Sequence, residues 1–290
     1  MNLFKMMLAI LLSTAVAACS PGSGGTTAGG SGTIVGHFID SAVVGLTYSY
    51  TLNGQTTTAT TGVGGSFNYP AGTPVTFKIG NITLGTITPS GTVTPLQLAG
   101  NGSTPAATMV RNIVQLLISL DPAAQTIVSA GISQPDTITL NTALLTAAAN
   151  TNVTPITISA STSQTQLQTI LTQIGNITGT TYTLINPTQA TTHMTSSLNG
   201  IFAGNYSGTY SGASSGTWTI TINSAGIISG STGTGDAITG AMSTTLNTNA
   251  FNFNGTASGY PWNGTLDGTG KFSGTWGTGN TTGTYTGTKQ

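Results

Sequence analysis

Charge is what this sequence has least of. Five basic residues and five aspartates are spread over 290 positions, glutamate is absent, and charged residues make up 3% of the chain, against about 25% in ordinary globular domains. That excludes nucleic-acid binding, which needs clustered Lys and Arg to displace counterions. It also removes long-range electrostatic steering. Histidine is nearly as scarce, with only His37 and His193, so the stock of general acids and bases is thin. The sequence has no His-Glu-x-x-His, phosphate-binding loop or Cys-x-x-Cys, and no Gly-x-Ser-x-Gly elbow at an expected strand-to-helix turn. Catalysis, a metal and a cofactor are therefore not expected. Cys19 is the single cysteine, which rules out an intramolecular disulfide and leaves stability to a packed core.

Threonine and glycine stand in place of charge, at 60 and 41 residues. Thr suits the wet face of a strand, and Gly suits turns and close backbone approaches. Hydrophobic residues make up 37% and mean hydropathy is +0.18, unlike the apolar-poor, highly charged composition of disordered chains. A β-rich protein coated in hydroxyls and amides is expected.

The N-terminus carries Lys5, an apolar run from Met6 to Leu12, and small residues closing on Val16-Ala17-Ala18-Cys19. A run this short is a processing signal rather than a membrane span. The last four residues resemble the lipobox of bacterial lipoproteins. That resemblance implies cleavage after residue 18, lipidation of Cys19 and, with Ser20 following, delivery to the outer membrane. At about 0.8 kcal/mol per buried methylene, two or more acyl chains anchor firmly. Residues 19–33 are Gly- and Ser-rich without apolar periodicity, which predicts a flexible tether.

Residues 34–88 alternate: Leu46, Tyr48 and Tyr50, then Phe67 and Tyr69, then Val75, Phe77 and Ile79, then Ile82 and Leu84, with Gly, Pro and Asn punctuating them. The pattern predicts a small antiparallel β-sandwich. Asp40 to Tyr48, Gly65-Ser66-Phe67-Asn68-Tyr69 and Val75 to Gly80 resemble carboxypeptidase-regulatory or Cna-B-like modules of bacterial surface lipoproteins, which implies a structural or adhesive role. Relatives of that kind carry an acidic or amide residue before the Gly-x-Phe-x-Tyr strand, where this chain has Thr61-Gly62-Val63-Gly64.

Residues 89–200 change to helical spacing. Thr104-Pro105 is expected to open a helix carrying Met109, Ile113, Leu116, Leu117 and Leu120, with Asp121-Pro122 stopping it and Arg111 on its solvated face. A second helix spans 163–174 with Gly175 as its stop. A third starts at Asn186-Pro187, and a weaker one covers 140–149. His193, on the third, is expected to be half-buried and satisfied by a backbone carbonyl rather than to be a metal ligand. Three or four helices would thus form a helical insert.

From residue 201 Gly, Thr and aromatics take over. Gly216-Thr217-Trp218 recurs as Gly274-Thr275-Trp276, and Tyr206-Ser207-Gly208-Thr209-Tyr210 is echoed around Tyr285. Eight strands are predicted near 202–211, 215–223, 227–232, 237–245, 250–257, 260–266, 270–276 and 282–288, as a meander or small closed barrel. The style resembles small barrels that end bacterial surface lipoproteins. Trp218, Trp276 and Phe253 are expected in its core and Trp262 at its rim, because strand tryptophans are mostly buried. Trp262, Tyr260 and Asp267 form the candidate ligand site, since aromatic faces beside a carboxylate suit a glycan.

The fold class is therefore mainly β with a helical insert (α+β): leader 1–18, anchored tether 19–33, sandwich 34–88, helical insert 89–200, and meander or barrel 201–290. The expected role is that of a non-catalytic, lipid-anchored envelope protein, a structural or adhesion module. The alternatives are a lipoprotein binding a glycan or small apolar ligand, and an accessory subunit with an envelope protein partner.

Overall fold

Alternation of apolar and hydroxylated side chains lays down the first strands, and turn residues separate them. The computed structural model describes residues 32–131, 137–247 and 250–290. The expected leader, Cys19 and nearly all of the tether lie outside the described residues. The N-terminal strands are β1 (Thr33–Phe38), β2 (Ala42–Val44), β3 (Thr47–Leu52), β4 (Gln55–Thr60), β5 (Ser66–Pro70), β6 (Val75–Ile79) and β7 (Ile82–Ile87). Then come β8 (Thr92–Val93), α1 (Pro95–Ala99), α2 (Thr108–Ser119), α3 (Pro122–Ser129), β9 (Thr137–Thr139), α4 (Thr142–Ala148), β10 (Ile156–Thr157), α5 (Gln164–Thr178) and α6 (Pro187–Phe202). The C-terminal strands are β11 (Gly204–Gly212), β12 (Gly216–Ile222), β13 (Ile227–Thr232), β14 (Ala237–Asn247), β15 (Ala250–Ala257), β16 (Tyr260–Asp267), β17 (Lys271–Thr278) and β18 (Thr281–Lys289). The protein is mainly β with six helices among the described residues, more than the three or four expected.

Two sheets, ordered β5-β1-β8 and β10-β7-β6-β3-β4, face each other across an aromatic seam. Phe38 meets Phe77 at 4.9 Å between ring centroids, Phe67 meets Phe77 at 5.1 Å, and Tyr48 meets Phe67 at 5.5 Å. The sandwich is not completed by residues 34–88 alone. β8 joins β1, β10 joins β7 and β9 joins β2, each in parallel. The helical insert is thus laced into the sheets by three short parallel pairings. Strands of two or three residues carry no readable alternation, and only their tertiary placement makes them pair.

The turn after β4 has a side-chain role despite its lack of an acid or amide. Thr61 is 2% exposed, donates its hydroxyl to Val43 O at 2.6 Å and accepts from Leu46 N at 3.0 Å. Thr61→Val keeps the shape and strands both buried partners. It is expected to cost about 1–3 kcal/mol, read as a lower urea midpoint with unchanged slope; an unchanged midpoint would refute the clamp.

Helix α2 is buried nearly all round, and that fits its position against α1, α3, α5 and α6. Its three buried polar side chains are matched. Asn112 Nδ2 donates to Thr162 O at 2.8 Å, Gln115 Nε2 donates to Gln164 Oε1 at 2.8 Å, and Ser119 Oγ accepts from Ile185 N at 3.0 Å. Arg111 is half-buried rather than solvated. Asp121-Pro122 ends one helix and at once starts α3, with Asp121 Oδ1 capping Ala123 N at 2.9 Å and Oδ2 accepting from Thr139 N at 2.7 Å. Nor does Gly175 stop α5: the helix runs on to Thr178 and ends at Gly179 with φ of 71°. Capping boxes built on Ser163 and Asn186 open α5 and α6.

Candidate functional site

Eight C-terminal strands close on themselves, β11 pairing antiparallel with both β12 and β18. Each strand lies within about two residues of its predicted position, because period-2 alternation here is unusually clean. Inward positions hold Tyr206, Trp218, Phe253, Trp262, Phe272 and Tyr285, all buried, while Thr and Ser dominate the outward ones. Glycines share the inner wall with the aromatics. A Cβ at Gly255 would come within 2.3 Å of Trp262 Nε1, and one at Gly287 within 2.4 Å of the Trp218 ring. The recurring Gly-Thr-aromatic triplets do the same: a Cβ at Gly274 would come within 2.4 Å of Tyr285 Oη, and one at Gly283 within 2.4 Å of Trp276 Nε1. Each indole N–H also finds a strand carbonyl: Trp218 to Thr209 at 3.3 Å, Trp262 to Thr239 at 3.2 Å and Trp276 to Ser211 at 3.3 Å.

The two ends of the barrel differ. One is plugged by the end of α6, where Phe202 meets Phe251 at 4.9 Å and its carbonyl accepts from Tyr206 Oη at 2.8 Å. Lys289 Nζ donates to Ile201 O at 2.9 Å, satisfying a carbonyl in the last turn of that helix. Burial lowers the Lys289 pKa and raises that of Tyr206 above the ordinary range.

The other end is open. The hairpin turns at 213–215, 233–236, 258–259 and 279–280 surround a cavity of about 170 Å³. Its aromatic lining is Tyr210, Trp218, Tyr260, Trp262, Trp276 and Tyr285. Tyr210 and Trp276 stand edge to face at 5.9 Å, as do Trp218 and Tyr285 at 6.1 Å. Tyr285 is 4% exposed, its hydroxyl has no hydrogen-bond partner among the described residues, and burial raises its pKa.

Asp236 is the one charged residue of this lining. Hydroxyls of Ser258, Thr234 and Thr232 hold its carboxyl below the usual carboxylate range, with Thr234 Oγ1 donating to Oδ2 at 2.7 Å and Thr232 Oγ1 at 3.2 Å.

Of the three candidate residues, the structure brings together two. Trp262 and Tyr260 both line the mouth. Trp262 is not at the rim but in the core, 4% exposed, while half-buried Trp276 takes the rim position. Asp267 lies at the opposite end of β16, about 23 Å along the strand. There its Oδ1 accepts from Thr269 N at 2.9 Å and Lys271 N at 3.0 Å, closing a hairpin. Asp236 supplies the carboxylate instead. Alternate turns of a meander share one end, so counting turns from Tyr260 back to residues 233–236 would have found it.

A serine, a histidine and an aspartate do meet elsewhere. His193 Nε2 lies 2.8 Å from Asp40 Oδ1 and 3.3 Å from Ser197 Oγ. His193 is fully buried rather than half-buried, as is Asp40, and Ser197 is 1% exposed. In a nucleophilic triad the acid holds one ring nitrogen and the serine faces the other. Here both address Nε2, inside the core, and the geometry is that of a structural clasp between α6 and the turn after β1. Ser214, flanked by Gly212 and Gly216, has the spacing of a nucleophile elbow but lies in a β-hairpin turn and has no histidine beside it among the mouth residues. Among the described residues, no three His, Cys, Asp or Glu side chains are placed to share a metal ion.

No family model, curated protein or solved structure matches this chain. The function must be read from the site itself.

Proposed function

We propose that this protein is a non-catalytic, lipid-anchored component of a bacterial cell envelope, and that it binds a small ligand in the open mouth of its C-terminal barrel. The observation that carries the binding role is the mouth itself, a cavity ringed by six aromatic side chains with one ionised carboxylate at its edge. Such concave, mostly apolar sites with few placed polar groups are where small molecules bind.

Anchoring by lipid is supported by the barrel's polarity. Transmembrane barrels turn an apolar band outward, whereas this one turns Thr217, Thr219, Thr221, Thr284 and Thr286 outward and its aromatics inward. No described helix is long and apolar enough to cross a bilayer. Attachment to a membrane therefore calls for a separate device, and Cys19 at the outer membrane is the proposed one. The uncharged hydroxyl wall also favours a second reading, an adhesion or structural module that packs against glycans or an envelope protein partner.

Two experiments test the proposal. Fatty-acid labelling and membrane association should both vanish in Cys19→Ser; a variant still membrane-bound removes the anchor. Titration of the full chain with sugars, small aromatics and small amines should quench or shift tryptophan emission for one class. Trp276→Leu should weaken that response about tenfold, as for loss of a principal contact. If no class moves the emission, the barrel reverts to the structural reading.

A further inference from the structure

The mouth has a chemistry more specific than apolarity, and any selectivity read from it rests on the binding role proposed above. Aromatic rings carry negative faces, and six of them converge here. The only formal charge in the lining is the Asp236 carboxylate. Both lysines of the barrel lie at its other, plugged end: Lys271 opens β17 beside Asp267, and Lys289 closes β18 against α6. Among the described residues, nothing in the mouth neutralises Asp236. In a chain with five acidic residues in all, a carboxylate on an aromatic rim without a cation is an uncommon placement.

The polar groups argue against a neutral sugar. Sugar recognition sets donors against acceptors in fixed directions, chiefly amides, which do both, with Arg as donor and carboxylates as acceptors. No described Asn, Gln or Arg lines this cavity. The asparagines of the nearby strands, Asn252, Asn254 and Asn263, belong to a shallow depression on the outer wall. Asp236 Oδ2 already accepts from two threonine hydroxyls. Those bonds favour the ionised form, so the charge persists to acid pH. Size sets a further limit. An apolar cavity of about 150 Å³ holds a single benzene ring, so about 170 Å³ takes one ring or one tetra-alkylated nitrogen. Aromatic cages that hold quaternary ammonium groups use the same combination of π faces and a nearby negative charge.

We infer that the barrel mouth is selective for an organic cation, a quaternary or tertiary ammonium group the size of a single ring, held among Tyr210, Tyr260, Trp262 and Trp276 with Asp236 as its counter-charge. Neutral molecules of the same shape bind less tightly because they gain nothing from the ring faces' quadrupoles or from the exposed Asp236 carboxylate.

The test compares choline with its uncharged isostere 3,3-dimethyl-1-butanol, titrated into the full chain at constant ionic strength and followed by tryptophan emission. Choline should bind at least tenfold more tightly. Its affinity should fall as salt is raised while that of the alcohol stays level. Asp236→Asn keeps the hydroxyl contacts to one side-chain oxygen, and should cut choline's advantage to about two- to fivefold, the share of the ring faces, without changing the alcohol's own affinity. The part of the preference that depends on Asp236 should also survive to below about pH 4, the ordinary carboxylate value, and disappear on further acidification. Equal binding of both ligands, with or without the variant, overturns the cation selectivity and leaves the binding role standing. So does a preference that is insensitive to salt, a measurement that needs no variant to fold. Emission that moves with neither ligand, nor with any sugar or aromatic, removes the binding role itself.

Discussion

His193→Ala is expected to cost about 3–5 kcal/mol of folding stability, the usual size of the penalty for stripping one partner from a close, fully buried acid–base contact. His193 and Asp40 are both fully buried, 2.8 Å apart. Taking away the imidazole leaves the Asp40 carboxylate facing protein from which water is excluded, with the Ser197 hydroxyl bonded to Ser41 N at 3.2 Å. The loss should be global. Asp40 follows β1 of the sandwich, and α6 runs from His193 directly into the barrel, so one clasp ties the first strand to the last domain. Asp40→Ala should lose a similar amount. The double variant Asp40→Leu, His193→Met should recover most of it, because replacing both members of a buried pair by apolar groups is often neutral. Urea unfolding of the natural protein, Asp40→Leu, His193→Met and this double variant closes a cycle, and the coupling should exceed about 1 kcal/mol. Additive losses would mean the two groups do not act on each other.

Phe272→Ala carries an effect of the same size by a different route. Phe272 is 0% exposed and occupies the centre of the barrel. Its ring stacks on Phe253 at 3.9 Å and is tilted against Trp218 at 5.6 Å and Trp262 at 5.7 Å. Truncation forfeits the transfer free energy of the ring and leaves a cavity that closed antiparallel walls cannot collapse into, about 3–5 kcal/mol in comparable cores. Two readouts are expected together: a lower unfolding midpoint, and red-shifted emission as Trp218 and Trp262 lose their cover. A stability loss of less than about 1 kcal/mol, far below the range for such truncations, would mean the barrel can relax around the void, contrary to its close packing against the wall glycines.

Much of the architecture was legible because the sequence repeats two simple periods. In the barrel, Thr217, Thr219 and Thr221 alternate with Trp218, Ile220 and Ile222, and the structure keeps that alternation as outside and inside. In α5 and α6 the signals at Ser163, Asn186 and Pro187 mark real helix starts. The failures share a cause too. Asp121-Pro122 stops α2 as expected, but it is equally an N-cap with proline at the first position, and local chemistry does not reveal that second role. Gly175 has the residue type of a C-cap, yet its bare Cα is needed inside α5, where a Cβ would come within 2.6 Å of Thr180 O.

The ligand site was half legible for a related reason. Tyr260 and Trp262 declare themselves by type and by closeness in sequence to a turn. Asp267 was favoured over Asp236 only because it is nearer along the chain. A strand places residues seven positions apart at opposite ends of the barrel, while hairpin turns far apart in sequence share one rim.

By itself, then, the sequence determined the class of each segment: uncharged hydroxyl-faced strands, apolar-striped helices, and a C-terminal meander long enough to close. Local periodicity and turn chemistry act within a few residues, and they suffice for that. The tertiary structure alone decided which ends came together. It put His193 against Asp40, laced β8, β9 and β10 into distant sheets, plugged one end of the barrel with α6, and left Asp236 alone among aromatics at the other. Each of these is a contact between residues far apart in the chain, fixed by the burial of surfaces that no short window of sequence contains.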